Sequence, residues 1–202
     1  MSSVEPNHGS SEVNCTHKVN FELVVAGGER TILLEFGKKV CNYSNRQGGC
    51  YTLDGGKIRL RKETKGEPCY WKDYKALCLD NVYCRAFFQK SQDLIDWANS
   101  EKLLHPMYYI GDGHPGIWNL FQEIGEAQRR EKILDWYHLK ENLYKVGGSF
   151  KRLKLAENLL WQGKIDEAIN LFKDLKNKAF KTFGHYLETH CCRIINYLYY
   201  QV

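Results

Sequence analysis

The chain has no apolar run near the roughly 20 residues that cross a bilayer, and its opening MSSVEPNHGSS lacks the apolar stretch of a signal peptide. A soluble, cytoplasmic protein with no membrane partner is therefore expected. Proline is scarce at four residues, and a composition of 43% hydrophobic and 26% charged residues lies outside the collagenous, prion-like and disordered classes. Also missing is any C-x-x-C or H-x-x-x-H pair. Cys41, Cys50, Cys69, Cys78 and Cys84 are irregularly spaced, which argues against structural zinc. In a long, charged chain without a signal segment the eight cysteines are expected as reduced thiols.

What is present is enough chain, 202 residues, to bury a real core in one domain or slightly more. A net charge of +5 and a pI near 8.7 are compatible with an anionic partner without requiring one. Residues 1–47 mix a polar tail, the apolar patches FELVVAGG and RTILLEF, and the polar turn NYSNRQGG, and read as a weakly ordered leader. From Cys50 the alternation of CYTLDGGKIRLRK suggests a hairpin about a Gly55-Gly56 turn. After the turn-rich KETKGEP, DYKALCLD reads as a third strand.

SQDLIDWANSEK then reads as a helix capped by Ser91, and MYYI as a fourth strand. Pro115 suits a first helical turn, and Ile117, Trp118, Phe121 and Ile124 recur at helical spacing up to a break near Gly125. KILDWY returns to an extended run. The order β-β-β-α-β-α-β is that of a mixed α/β layer. After His138 only helical patterns follow, the longest being FKRLKLAENLLWQGKIDEAINLFKDLKNKAFKTF. The chain thus divides into a leader (1–47), an α/β core (48–137) and a helical region (138–202).

Two-metal phosphodiester chemistry needs carboxylates on rigid strand ends, converging on cations about 3.5–4 Å apart. Asp54 and Asp112 are the favoured pair, because each lies at a strand end, Asp112 directly after MYYI in GDG. Taken singly, Asp54 also suits a turn and Asp112 a helix cap. GDGHPG matches the dinucleotide pattern G-x-G-x-x-G, with Asp135 about 20 residues further on. A carboxylate at position 112 would repel a pyrophosphate, however, and the remaining strands of a doubly wound sheet are missing. DWYH sets Asp135 and His138 three residues apart, close enough to share a cleft.

Taken together and in order, LDGGKIRLR, YIGDGHPGIWNLFQEI and KILDWYHLKENLYKVG resemble the core of bacterial insertion-sequence transposases of the DDE class. The nearest kind is the one with a D-x-x-H signature, related to Mutator-like elements. The resemblance runs over residues 50–198 and includes YLETHCCRIINY. It implies an RNase H-like core that binds two Mg²⁺ or Mn²⁺ ions and cuts and joins DNA by in-line displacement. Asp54 matches the first acid, Asp112 the second, and Asp135 with His138 the D-x-x-H pair. The helices after His138 match the insertion that precedes the third acid.

That third acid, a glutamate, lies in the family just past the YLE segment, and Glu188 aligns with a non-catalytic position. The expectation is therefore a C-terminally truncated copy, impaired in strand transfer, with DNA ends and target DNA as partners and a homo-oligomer compatible with it. The alternative is an inactive DNA-binding or self-associating remnant. Lys140, Lys145, Lys151, Arg152 and Lys154, interleaved with Tyr144 and Phe150, are the candidate phosphate contacts, as are Arg59 and Arg61; a solvated helix face explains the helical set nearly as well. GKIDEAINLFKDL resembles one tetratricopeptide helix without a second copy, and His185 and His190 are placed on different helical faces.

Overall fold

A computed structural model describes residues 17–25, 28–36, 49–60, 70–80, 83–101, 106–175 and 178–199. Cys41, Cys69, Arg61, the KETKGEP turn and nearly all of NYSNRQGG lie outside the described residues. Within the stretch read as a leader, the backbone forms a two-stranded antiparallel sheet, β1 (His17–Val25) against β2 (Gly28–Phe36).

The main sheet begins as an antiparallel meander of β3 (Gly49–Leu60), β4 (Tyr70–Leu79) and β5 (Tyr83–Phe88). Helix α1 (Ser91–Ser100) then carries the chain to β6 (Met107–Gly111), which pairs parallel with β3. Helix α2 (Pro115–Gln122) leads to β7 (Arg130–Leu134), parallel with β6. The order across the sheet is β5-β4-β3-β6-β7, with β4 alone running against the others. Parallel neighbours need a crossover, and α1 and α2 supply it. Every residue of β6 is buried, as expected of a central parallel strand covered on both faces.

The element order matches the sequence reading through two compensating differences. The expected hairpin at Gly55-Gly56 does not exist; β3 runs straight through both glycines to Leu60. Neither glycine has the positive φ that a tight hairpin turn demands. They are small because β4 side chains lie over them. A Cβ on Gly55 would stand 2.6 Å from Lys75 Nζ, and one on Gly56 2.8 Å from Tyr74 Oη. The strand lost there is replaced by β5, which was not foreseen. Ser91 is also not a cap: Lys90 occupies the cap position, without a side-chain cap bond, and pairs with Asp93 at 3.1 Å in the first turn.

The long helical pattern divides into α3 (Trp136–Tyr144), α4 (Phe150–Trp161), α5 (Ile165–Asn170) and α6 (Lys178–His190), followed by a 3-10 turn at Cys191–Arg193. Gly163, at φ +74°, terminates α4 where a side chain would be strained. These helices do not form a separate body. Leu139, Leu143, Leu160, Phe172 and Leu187 join Leu53, Tyr109 and Leu134 in one apolar core, each fully buried side chain contributing about 1.5–3 kcal/mol. The segment after α6 is tied to the sheet by Tyr197, whose hydroxyl donates to the Leu134 carbonyl at 2.7 Å. Contrary to the expectation of reduced thiols, Cys78 and Cys84, cross-strand partners on β4 and β5, form a disulfide.

Candidate functional site

Sheet register places three aspartates side by side. Leu53 of β3 pairs with Gly111 of β6, and Gly111 pairs with Leu134 of β7. Asp112 and Asp135 directly follow β6 and β7, whereas Asp54, expected at a strand end, lies inside β3, one residue past the part that pairs with β6; neighbouring strands run about 4.7–4.9 Å apart. The Asp135 amide donates to the Gly111 carbonyl at 2.8 Å and extends the ladder by one step. Helix α2 takes the sheet face of the preceding residues: a Cβ on Gly111 would meet Ile117 Cγ2 at 2.8 Å. Alternation along β3 turns Asp54 to the other face. The shared field of the three acids is felt at His138. The Asp135 hydrogen bond raises its pKa, burial opposes that, and the Asp135, Asp54 and Asp112 charges each add to the rise.

The carboxylates are used unequally. Asp54 Oδ1 accepts from its neighbour Gly55 N at 2.7 Å, and Asp112 Oδ1 accepts from His114 N at 2.7 Å. Among the described residues neither is ion-paired, and the Oδ2 atom of each has no hydrogen bond. Asp135 is 6% exposed and fully engaged. Its Oδ1 accepts from Tyr137 N at 3.0 Å as the cap of α3, and its Oδ2 lies 3.0 Å from His138 Nδ1. The capping role considered for Asp112 falls to His114, whose Nδ1 accepts from Gly116 N at 3.1 Å. Asp135 therefore orients His138 and starts α3, while Asp54 and Asp112 keep oxygens to offer.

Hard divalent cations such as Mg²⁺ and Mn²⁺ take oxygen ligands and retain several waters, so two carboxylates plus solvent suit them. The donor chemistry at Asp54 and Asp112 fits. Among the described residues no three His, Cys, Asp or Glu side chains stand together as a ready-made ligand cluster.

Helix α6 and the turn after it wall the site, a contribution the sequence reading missed. Gly113, at φ +94°, lies against this wall; a Cβ there would stand 3.1 Å from both His190 Nε2 and Tyr186 Cε2. Tyr186 and His190 are four residues apart, one face of α6, with rings 4.7 Å apart. Burial, joined by the Asp112 and Asp135 charges, pushes the Tyr186 hydroxyl pKa far up, and the hydroxyl faces Asn142 without a hydrogen bond of normal geometry. His190 is 4% exposed, whereas the His185 and Glu188 side chains are 83% and 76% exposed and lie 3.8 Å from each other. The different faces expected for the two histidines are observed, and Glu188 is exposed to solvent.

The five basic candidates mostly serve the helical region itself. Lys140 and Lys154 grip the buried Glu157 at 2.9 and 3.0 Å, and Tyr144 Oη donates to it at 2.6 Å. Arg152 makes a two-point contact with Asp174 at 2.8 and 3.0 Å, and Lys145 pairs with Glu141 at 3.3 Å. Lys151 is exposed and, among the described residues, has no ion pair. Arg59, exposed on β3, lies cross-strand from Trp71, which is 60% exposed.

No family model matches the chain, and no curated protein or solved structure matches it. Among the described residues no helix is long and apolar enough to cross a membrane.

Proposed function

We propose that Asp54 and Asp112 form a two-metal centre for DNA phosphodiester chemistry, of the cutting-and-joining kind performed by DDE transposases. One observation carries the reading: two aspartates 58 positions apart follow the last register pair of β3 with β6, Leu53 and Gly111, Asp112 just past the end of β6 and Asp54 within β3, each with a carboxylate oxygen to spare. The sheet order, with β4 alone reversed, supports an RNase H-like core. Mg²⁺ or Mn²⁺ bound there would activate an attacking water or 3′-hydroxyl and neutralise charge on the leaving 3′-oxygen.

The chain's own residues do the positioning. Asp54 and Asp112 hold the cations, and their pairing on adjacent strands keeps them rigid. Asp135 fixes the His138 ring through Nδ1.

A second reading, DNA binding without turnover, is favoured by one observation. Among the described residues no third carboxylate joins Asp54 and Asp112 in a group that could hold a metal; Asp135 is consumed by its own helix and Glu188 faces solvent. A nicking and strand-transfer assay on labelled DNA with Mn²⁺ decides between them. Turnover that vanishes in Asp54→Asn and Asp112→Asn supports the metal centre. Duplex binding without any turnover, at any Mn²⁺ concentration, supports the second reading and rejects the first.

A further inference from the structure

The 3-10 turn after α6 holds Arg193 in a defined position. Its guanidinium lies over the Trp118 indole, 4.4 Å from the ring centroid, and its Nη1 donates to His190 Nδ1 at 2.8 Å. Arginine only donates, so His190 accepts at Nδ1 and carries its proton on Nε2, the atom turned towards Gly113. The charged side chain is half-buried, yet among the described residues it has no carboxylate partner. Its Nε and the adjacent Trp118 Nε1 are two of the four buried side-chain polar atoms that make no hydrogen bond there.

A half-buried cation without a counter-charge is costly to maintain. The unpaired atoms of this cluster are donors, and it adjoins the turn of Asp112, whose Oδ2 is a spare acceptor. A DNA strand laid across the two would present phosphate oxygens to the guanidinium while its reacting phosphate met the cations at the aspartates. We propose that Arg193 is the phosphate-binding residue of this site, gripping a backbone phosphate beside the reacting one, with Trp118 and His190 as its positioning residues. The inference rests on the phosphodiester reading and adds to it how the strand is held.

The test uses the full chain, a short fluorescein-labelled DNA duplex of arbitrary sequence, and EDTA in place of divalent metal. Arg193→Gln is expected to weaken duplex binding about tenfold, the loss of one charge-assisted contact. The slope of log affinity against log salt should fall by about 1. Arg193→Lys restores the slope but only part of the affinity, because it keeps the charge and loses the planar fork. A second measurement needs no variant: phenylglyoxal modification of Arg193 in the wild-type chain, read by peptide mass spectrometry, should slow when the duplex is added.

Unchanged binding by Arg193→Gln, or no protection of Arg193 in the wild-type chain, overturns the proposal. The two readings fail separately. Protection of Arg193 without Mn²⁺-dependent turnover removes the metal centre and keeps the phosphate contact; turnover that requires Asp54, with Arg193 unprotected, removes the contact alone.

Discussion

Gly113 and His190 meet so closely that the imidazole Nε2 lies 3.1 Å from where a Cβ on residue 113 would be. The turn carrying Asp112 is thus fitted against α6, and the fit depends on the missing side chain. Gly113→Ala combines a strained φ of +94° with contacts on both His190 and Tyr186. We expect a loss of about 1–3 kcal/mol in urea unfolding. A stability equal to wild type would show that the turn and α6 do not pack as described.

Glu157 gives the pH dependence a defined sign. Burial pushes its carboxyl up, but hydrogen bonds from Tyr144, Lys140 and Lys154 outweigh burial and hold the pKa below the usual glutamate range. A depressed folded-state pKa contributes stability that is complete above the ordinary glutamate value and is lost as pH falls through the folded value. Thermal melts of wild type should therefore drop through that acid window, and Glu157→Gln should flatten this part of the profile. At neutral pH the variant should lose about 1–2 kcal/mol, since both lysines are 40–49% exposed and can turn to water.

The aspartates were legible because each follows an apolar run, although only Asp112 and Asp135 directly follow a strand end and Asp54 lies inside β3. Their register was not, because it depends on which strands pair. Gly55 and Gly56 illustrate the limit: glycine permits a turn and also permits a partner side chain to cover the strand, and only Tyr74 and Lys75 decide between them. Strand β5 was hidden by its half-exposed pattern, with no buried residue among its six. Among the basic residues, Lys145 with Glu141 and Lys154 with Glu157 follow helical spacing and could have been paired from sequence. Arg152 with Asp174 could not, because it joins different elements.

Tyr197 tests how the C-terminal segment supports the site. Its hydroxyl bonds the carbonyl of Leu134, the residue before Asp135, and its ring stacks on Trp161 at 5.4 Å. Tyr197→Phe keeps the stacking and leaves a buried carbonyl unpaired, at a cost of about 1–3 kcal/mol. Because that carbonyl belongs to the strand end, hydrogen exchange at Asp135 and Trp136 should accelerate more than exchange in α4. Uniform acceleration would mean that the contact stabilises the fold without supporting this strand end in particular.

His138 reports the electrostatics of the strand ends without requiring turnover. The Asp135 hydrogen bond is the largest cause of its raised pKa, burial opposes it, and the more distant Asp54 and Asp112 charges add to it. A histidine raised in the folded state contributes stability that is complete below its unfolded pKa and is lost as pH rises through the folded value. An NMR titration of the ring should therefore show Asp135→Asn lowering the midpoint most. Asp54→Asn and Asp112→Asn should lower it by smaller amounts in the same direction. The latter two shifts are the decisive ones: neither aspartate bonds His138, so they act through space alone, and their absence would separate Asp54 and Asp112 from the corner that His138 shares with Asp135.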